Sequence, residues 1–358
     1  RLLCYTNIYA PVLDVGRDQR WGRYEEVFSE SPYLVAELGV AMASGMQTDY
    51  QVASTAKHFA AYSNNKGARE GMSRVDPQIP LREVENIHLM PFREVIRRAG
   101  ILGVMSSYND YDGVPIQGSR YWLTERLRDE MGFRGYVVSD SGSVEYLHNK
   151  HHTAVDQLDA VRQSIEAGLN VRCNFWHSET YVMPLRQLLR DGLISEELLD
   201  NRVRDVLRVK FLVGLFDRPY QTDLAAADRE VNGSQHNEVA LKYENHTLPL
   251  AGGMIRRIAV LGPNADARGF ALGHYGPLAV EVTSVLDGLK KNLGTQCEIV
   301  YEKGCELVDV NWPLSEIFRE EMTPDEKAGI LRAAEVASES DVAIVVLGGS
   351  SRTCGENC

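Results

Sequence analysis

From residue 1 to about 215, short apolar runs alternate with longer amphipathic ones. No other feature constrains the fold as tightly, because strands separated by helical crossovers pair in parallel. Thr6 to Val15, Val52 to Phe59, Ile101 to Ser107, Tyr136 to Ser139 and Asn170 to Phe175 read as strands. Between them, Tyr33 to Met46, Leu81 to Ala99, Trp122 to Met131, Ala154 to Ala167 and Val182 to Leu189 read as helices.

The character changes over 218–253, where Arg218-Pro219-Tyr220 closes the first region and a polar segment leads to Leu248-Pro249-Leu250; this stretch reads as a linker. A second α/β unit is expected over 254–358, with strands at Ile258 to Leu261, Glu298 to Tyr301 and Val342 to Leu347, and helices at Ser284 to Leu293 and Pro324 to Glu339. The run Val342 to Leu347 is continuous enough to predict burial on both faces of a parallel sheet.

Polar residues follow the strand ends of the first region: Arg17 to Arg23, Lys57-His58, Tyr108-Asn109-Asp110 and Asp140. In a β/α barrel, catalytic groups occupy those positions, because the loops after parallel strands converge on one face. Each candidate has a simpler reading beside it. Asp140 follows Tyr136-Val-Val-Ser139 and could merely cap the next helix. Arg20, Trp21 and Arg23 could grip and stack a hydroxyl-rich ligand, or the arginines could pair with Glu25, Glu26 or Glu30. Lys57 and His58 occupy adjacent positions that a regular strand sends to opposite faces, unless the strand end breaks the alternation. The dipeptide also fits a Schiff-base or phosphate-binding lysine, or a satisfied core histidine.

Composition excludes some partners. The 358 residues are 44% hydrophobic and 25% charged, with a formal net charge of −12, which argues against nucleic acid, whose binding needs clustered Lys and Arg. No apolar run reaches the length of a membrane span. The six cysteines are too scattered for a disulfide scaffold; Cys297/Cys305 and Cys354/Cys358 could each form a local bridge, and no pair has zinc-site spacing. Asn232 and Asn245 head sequons, which matter only in a eukaryotic secretory route.

Four stretches in order then carry a resemblance: Ala10-Pro-Val-Leu-Asp-Val-Gly-Arg-Asp-Gln-Arg-Trp-Gly-Arg23, Ala56-Lys-His-Phe-Ala60, Val104-Met-Ser-Ser-Tyr-Asn109 and Gly135-Tyr-Val-Val-Ser-Asp140. The chain resembles glycoside hydrolase family 3, in its bacterial β-glucosidase and β-xylosidase branch. That branch also shows something like Gly348-Gly-Ser-Ser-Arg-Thr-Cys-Gly-Glu356 after a second-domain strand. The resemblance implies a (β/α)8-type barrel whose N-terminal part is missing from this chain, over 1–217, followed by an α/β sandwich domain. It implies a retaining, exo-acting β-glycosidase that releases terminal β-D-glucose from a β-linked oligosaccharide. Asp140 would be the nucleophile and Glu356 the acid and base. Arg23, Lys57 and His58 would bind sugar hydroxyls, with Tyr108 near the nucleophile and Met105 on the same wall.

No cofactor or metal is expected. A β-xylosidase, a β-N-acetylglucosaminidase using a His-Asp pair, and a degenerate carbohydrate-binding member or structural subunit are the rival readings. The histidines available for such a pair, His148, His151 and His152, fall in a polar helical stretch that reads as solvated. The resemblance implies export to the periplasm or beyond, and homodimerisation stays open. The chain departs from the family pattern in four ways, one being that Val239 to Leu250 is compressed relative to the longer helix and Leu-Leu-Lys run the family shows before Leu-Pro-Leu. In addition, Ser141 replaces the usual aromatic after the nucleophile, the upstream strand bearing a sugar-binding acid is absent, and the later domain is missing, so a partial chain, or one that omits segments, is expected.

Overall fold

The computed structural model describes residues 5–19, 21, 23–63, 76–217, 224–230, 255–268, 282–306 and 322–348. Glu356, Arg20, Cys354, Cys358 and the sequons at Asn232 and Asn245 lie outside them, as does most of the expected linker. The chain divides into two compact units, one built on Arg1–Gly233 and the other on Ser234–Gly355.

In the first unit, β1 (Asn7–Ile8), β2 (Ala53–Phe59) and β3 (Gly103–Ser106) are followed by a hairpin of β4 (Asp110–Tyr111) and β5 (Val114–Pro115), then by β6 (Tyr136–Ser139). The parallel sheet runs in the order β1-β2-β3-β6, and the described strands form an open sheet. Of two isolated parallel bridges, Val12 to Lys57 prolongs the pairing alongside β2, and Val138 to Val171 adds a neighbour beyond β6. The strand expected over Asn170 to Phe175 is therefore reduced to a single bridge. The Asn170 side chain reinforces that joint: its oxygen accepts from Arg128 and from the backbone N–H of Val137, its amide donates to the carbonyl of Arg202, and its backbone N–H donates to the Val137 carbonyl at 2.9 Å.

The helix Pro32–Met46 starts where Ser31 accepts from the Leu34 N–H at 3.5 Å and Pro32 takes the first turn, where its missing N–H costs nothing. Gln47 follows it and ties three elements together. Its Oε1 accepts from the N–H groups of Ser54 and Leu102 at 3.3 and 3.0 Å, while Nε2 donates to the Ala99 carbonyl at 3.1 Å. The amphipathic stretch expected over Leu81 to Ala99 is helical in four successive pieces, Leu81–Glu83, Val84–His88, Met90–Glu94 and Val95–Ala99. Leu13, Val35, Phe59, Phe92, Val104 and Val137 meet in the main core between sheet and helices. Gly135 enters β6 where a Cβ would lie 2.1 Å from the Leu102 carbonyl oxygen, so only glycine allows β3 and β6 to close there. A helix not expected from the sequence, Glu196–Leu212, carries Asp205, which pairs with Arg128 at 3.1 Å.

The second unit holds β7 (Arg257–Leu261), β8 (Glu298–Glu302) and β9 (Val342–Val345) in the parallel order β8-β7-β9, with helices Val285–Leu293 and Pro324–Ser338. β7 is the buried centre; β9 is an edge strand whose Val345 is 58% exposed, against the expectation that both its faces would be covered. Cys297 and Cys305 carry free thiols. Seven residues separate them, and the five that form β8 alone rise roughly 17 Å, far beyond the reach of a disulfide.

Candidate active site

Because the four strands are parallel, their C-terminal ends share one edge, and the chemistry-bearing residues of the first unit collect there. β2 delivers Lys57 and His58 through a register shift against β3 between Ala56 and Phe59, at which the Lys57–His58 peptide is cis. The usual alternation is interrupted at that point. His58 is fully enclosed and Lys57 mostly so, with 17% of its side chain exposed. β3 ends in Ser106, and Tyr108 follows it. β6 ends in Ser139, in register with Ser106, and Asp140 is the next residue.

Asp140 is buried, and its carboxylate is surrounded. Oδ1 accepts from the Ser141 N–H at 2.7 Å. Oδ2 lies 3.3 Å from His58 Nε2 and 3.8 Å from Arg23 Nη1. Capping is not its role: the helix Ser143–Asn149 begins at Gly142, in the left-handed region with φ of 76°, and has no side-chain cap. Position and neighbours therefore both separate Asp140 from the helix-cap reading.

Arg23 makes the ion pair with Glu26 that was its simpler reading, and also reaches toward the strand end. Its Nε and Nη2 bind Glu26 in a fork at 2.5 and 2.7 Å, while Nη1 reaches toward Asp140. Burial alone would lower the guanidinium pKa; the Glu26 bonds and charge outweigh it and hold it above its ordinary value. The ion pair described for Lys57 is also with Glu26, at 3.8 Å. Glu26 thus organises the two cations, a role the sequence offered only as the bland alternative for the arginines.

Asp14 was not foreseen either. It sits in the apolar run Pro11 to Val15, and its Oδ2 accepts the His58 backbone N–H at 3.0 Å and meets ring Nδ1 at 2.7 Å. Burial pushes its carboxyl up to about 7 against the opposing pull of Arg23. Burial, then Arg23 and Lys57, push the His58 imidazole well below its usual value. A charged residue inside an apolar strand pattern was the available signal, since such a group is buried only with a partner.

An aromatic wall borders these charges. Trp21 and Tyr62 meet edge to face at 5.2 Å, Tyr62 packs on Tyr108 at 5.7 Å and Tyr108 on Tyr146 at 5.7 Å. Arg23 lies 5.7 Å from the Tyr62 ring centre. Tyr108 donates to the Ser141 carbonyl at 3.0 Å, which places it beside Asp140. Met105 pairs with Val138 in register and lies lower in the strand, in an apolar cluster with Ala53, Leu102, Tyr136 and Val209. Tyr9, from the loop after β1, is raised above its ordinary phenol value, by burial first and then by Cys173 and Asp140.

His148 and His151 differ from the solvated reading. His151 Nε2 lies 2.9 Å from the Tyr108 carbonyl and His148 Nδ1 3.1 Å from that of Ala154, so both are tied to backbone while His152 is exposed. The turn that brings the chain back toward Tyr108 creates these contacts, and residue type alone does not announce them. Glu356 lies outside the described residues.

A buried carboxylate, flanked by a guanidinium, an imidazole and stacked aromatic rings, suits a polyhydroxylated ligand and a carboxylate nucleophile. Comparison with known proteins identifies the family. The family model described as glycosyl hydrolase family 3 N terminal domain matches residues 4–209, and that described as glycosyl hydrolase family 3 C-terminal domain matches residues 239–358. The chain belongs to glycoside hydrolase family 3.

A β-xylosidase of Formosa agariphila is 33% identical over 386 residues, covering 99% of this chain and 50% of that relative. A periplasmic β-glucosidase of Salmonella typhimurium is 33% identical over 369 residues, covering 96% and 47%. Among solved structures, a β-glucosidase from Erythrobacter marinus superposes with a TM-score of 0.77 at 31% identity, over 98% of this chain and 49% of that one. The β-glucosidase from Listeria innocua in complex with glucose gives 0.73 at 29%, over 98% and 47%. The chain spans about half the length of the curated relatives it matches.

Proposed function

We propose that this chain supplies the nucleophile and the sugar-binding groups of a retaining, exo-acting β-glycosidase that releases terminal β-D-glucose from β-linked oligosaccharides. The observation that carries the reading is the setting of Asp140. It is a buried carboxylate at a parallel strand end, with His58 Nε2 at 3.3 Å and Arg23 Nη1 at 3.8 Å. In the proposed reaction, an oxygen of Asp140 attacks the anomeric carbon while the bond to the leaving oxygen breaks and Glu356 delivers its proton there. Glu356 then takes a proton from water, the water oxygen attacks the anomeric carbon, and the bond to Asp140 breaks. Two inversions leave the sugar with its original configuration.

The roles require Asp140 to stay ionised, which the positive charge of Arg23 favours, and Glu356 to start protonated, which needs a raised pKa. Lys57 and His58 bind hydroxyls in this scheme, and the rings of Trp21 and Tyr62 border the sugar. A second reading, β-xylosidase, is favoured by the Formosa agariphila relative, as similar to this chain as the Salmonella β-glucosidase. Side-by-side kinetics on nitrophenyl β-glucoside and β-xyloside separate the two, with the first product's anomer followed by NMR. Faster glucoside cleavage with a β-anomer formed first is expected. A first-formed α-anomer rules out the retaining scheme, and a xyloside preference selects the second reading.

A further inference from the structure

One oxygen of Asp14 receives His58 twice. Oδ2 takes the backbone N–H at 3.0 Å and meets Nδ1 of the ring at 2.7 Å, with neither side chain more than 2% exposed. An oxygen that already accepts from a fixed backbone N–H is placed to accept from the ring too, which puts the imidazole proton on Nδ1 and leaves a lone pair on Nε2. That Nε2 is buried, has no hydrogen-bond partner among the described residues and faces Asp140 Oδ2 at 3.3 Å. Nε2 and a carboxylate oxygen are both acceptors in that state, so the group that fits against them is a donor.

We propose that Asp14 is a positioning residue: by holding both N–H groups of His58 on one oxygen, it fixes the plane and tautomer of the ring, so that Nε2 accepts a hydroxyl of the bound sugar beside Asp140. The proposal rests on the reading of Asp140 as the nucleophile and deepens it. Asp14 touches no reacting atom; it acts through His58. The charged groups facing the pair are Arg23 and Glu26 from the loop after Val15, Lys57 from β2 and Asp140 from the end of β6. The Tyr62 ring lies edge-on to His58 at 5.1 Å.

Among these charges, burial pushes Asp14 up to about 7 while His58 is pushed well down. Above that pH the ionised Asp14 accepts from Nδ1. Below it the protonated carboxyl must donate to Nδ1, and the ring proton moves to Nε2. The ring stays in place, but its face toward Asp140 changes from acceptor to donor.

The test compares Asp14→Asn, whose carbonyl oxygen can occupy the same acceptor position, with Asp14→Leu, which has none. Both remove the same charge. In the intact protein with ¹⁵N-labelled histidine, the wild-type His58 ring at pH 8 is expected to carry its proton on Nδ1. The Asn variant is expected to keep that tautomer at pH 6 as well, where the wild type shifts toward Nε2–H. On an aryl β-glycoside, the Asn variant should retain kcat/KM within about ten-fold, while the Leu variant loses about 100-fold, as expected when a group beside the reacting atoms is misplaced. An Nε2-protonated ring in the wild type at pH 8, or equal kcat/KM for the two variants, overturns the proposal. The ring spectrum needs no turnover. It decides the matter even if the Leu variant does not fold or the glycosidase reading fails, and failure of that reading shows separately as an inactive wild type.

Discussion

Tyr108 Oη donates to the carbonyl oxygen of Ser141 across 3.0 Å, and so braces the backbone next to Asp140 from the neighbouring strand end. A neutral hydrogen bond of this kind contributes about 1 kcal/mol. Tyr108→Phe keeps the ring packing on Tyr62 and Tyr146 and removes the brace. We expect kcat/KM on an aryl β-glycoside to fall by roughly five-fold and the melting temperature to drop by about 2–4 °C. Wild-type kinetics in this variant would mean that the carbonyl is held well enough without Tyr108.

Arg23→Lys should be far more damaging. Lysine keeps a positive charge but cannot reproduce the fork that binds Glu26 at 2.5 and 2.7 Å while a third nitrogen reaches Asp140. Loss of charge-assisted bonds costs about 1.5–3 kcal/mol, a decrease of roughly 10 to 150-fold in kcat/KM if Arg23 acts in the rate-determining step. Steady-state kinetics on the same substrate measures it. Near-wild-type activity would show that charge alone suffices.

His88 sets a pH dependence of stability. It is buried, its Nε2 has no hydrogen-bond partner among the described residues, and burial, then Arg17, lower its pKa from 6.5 to about 4. The folded state therefore binds fewer protons here than the unfolded state between those values. The stability His88 contributes is fully present above pH 6.5 and is lost as pH falls toward 4, by about 3 kcal/mol. Asp14 runs the other way, since its folded pKa is raised from 3.8 to about 7: its contribution is present below pH 4 and lost as pH rises through 7. Denaturant unfolding at pH 7.5 and 4.5 isolates His88 by comparison with His88→Leu. The variant should lose less stability on acidification than the wild type, and an equal loss would assign the acid sensitivity elsewhere.

Gly135→Ala tests the joint of β3 and β6. The added Cβ meets the Leu102 carbonyl at 2.1 Å, and backbone cannot rotate away as a side chain can; Leu102 O also accepts the Tyr136 N–H at 3.1 Å. A loss of about 3 kcal/mol is expected, read as a lowered melting temperature. A wild-type melt would show that the two strands can separate locally at little cost.

Much of this was legible where pattern and chemistry coincide. Tyr136 to Ser139 is a strand with the bounds expected of it, because a short run of β-prone Tyr and Val after Gly135 favours a strand buried on both faces. Lys57 and His58 were legible as polar residues on a strand, but their placement depends on a register shift against β3 that no residue type encodes. The hairpin Asp110–Tyr111 with Val114–Pro115 went unseen because two-residue strands carry no period; its only sequence mark is Asp112-Gly113, a turn pair. Asp14 and Glu26 escaped because their work is done on other residues, His58 and Arg23, and a partner distant in sequence has no spacing to read. Asp140, by contrast, announced itself by following a buried strand.

The nucleophile itself is tested most directly by trapping. A 2-fluoro β-glucoside with a good leaving group forms the glycosyl ester quickly and hydrolyses it slowly, so mass spectrometry of the digested protein locates the bond. The expected result is a fluoroglycosyl mass on the peptide that contains Asp140, absent in Asp140→Ala, which should also release no nitrophenol. A label on a different carboxylate, or continued turnover by Asp140→Ala, would contradict the assignment.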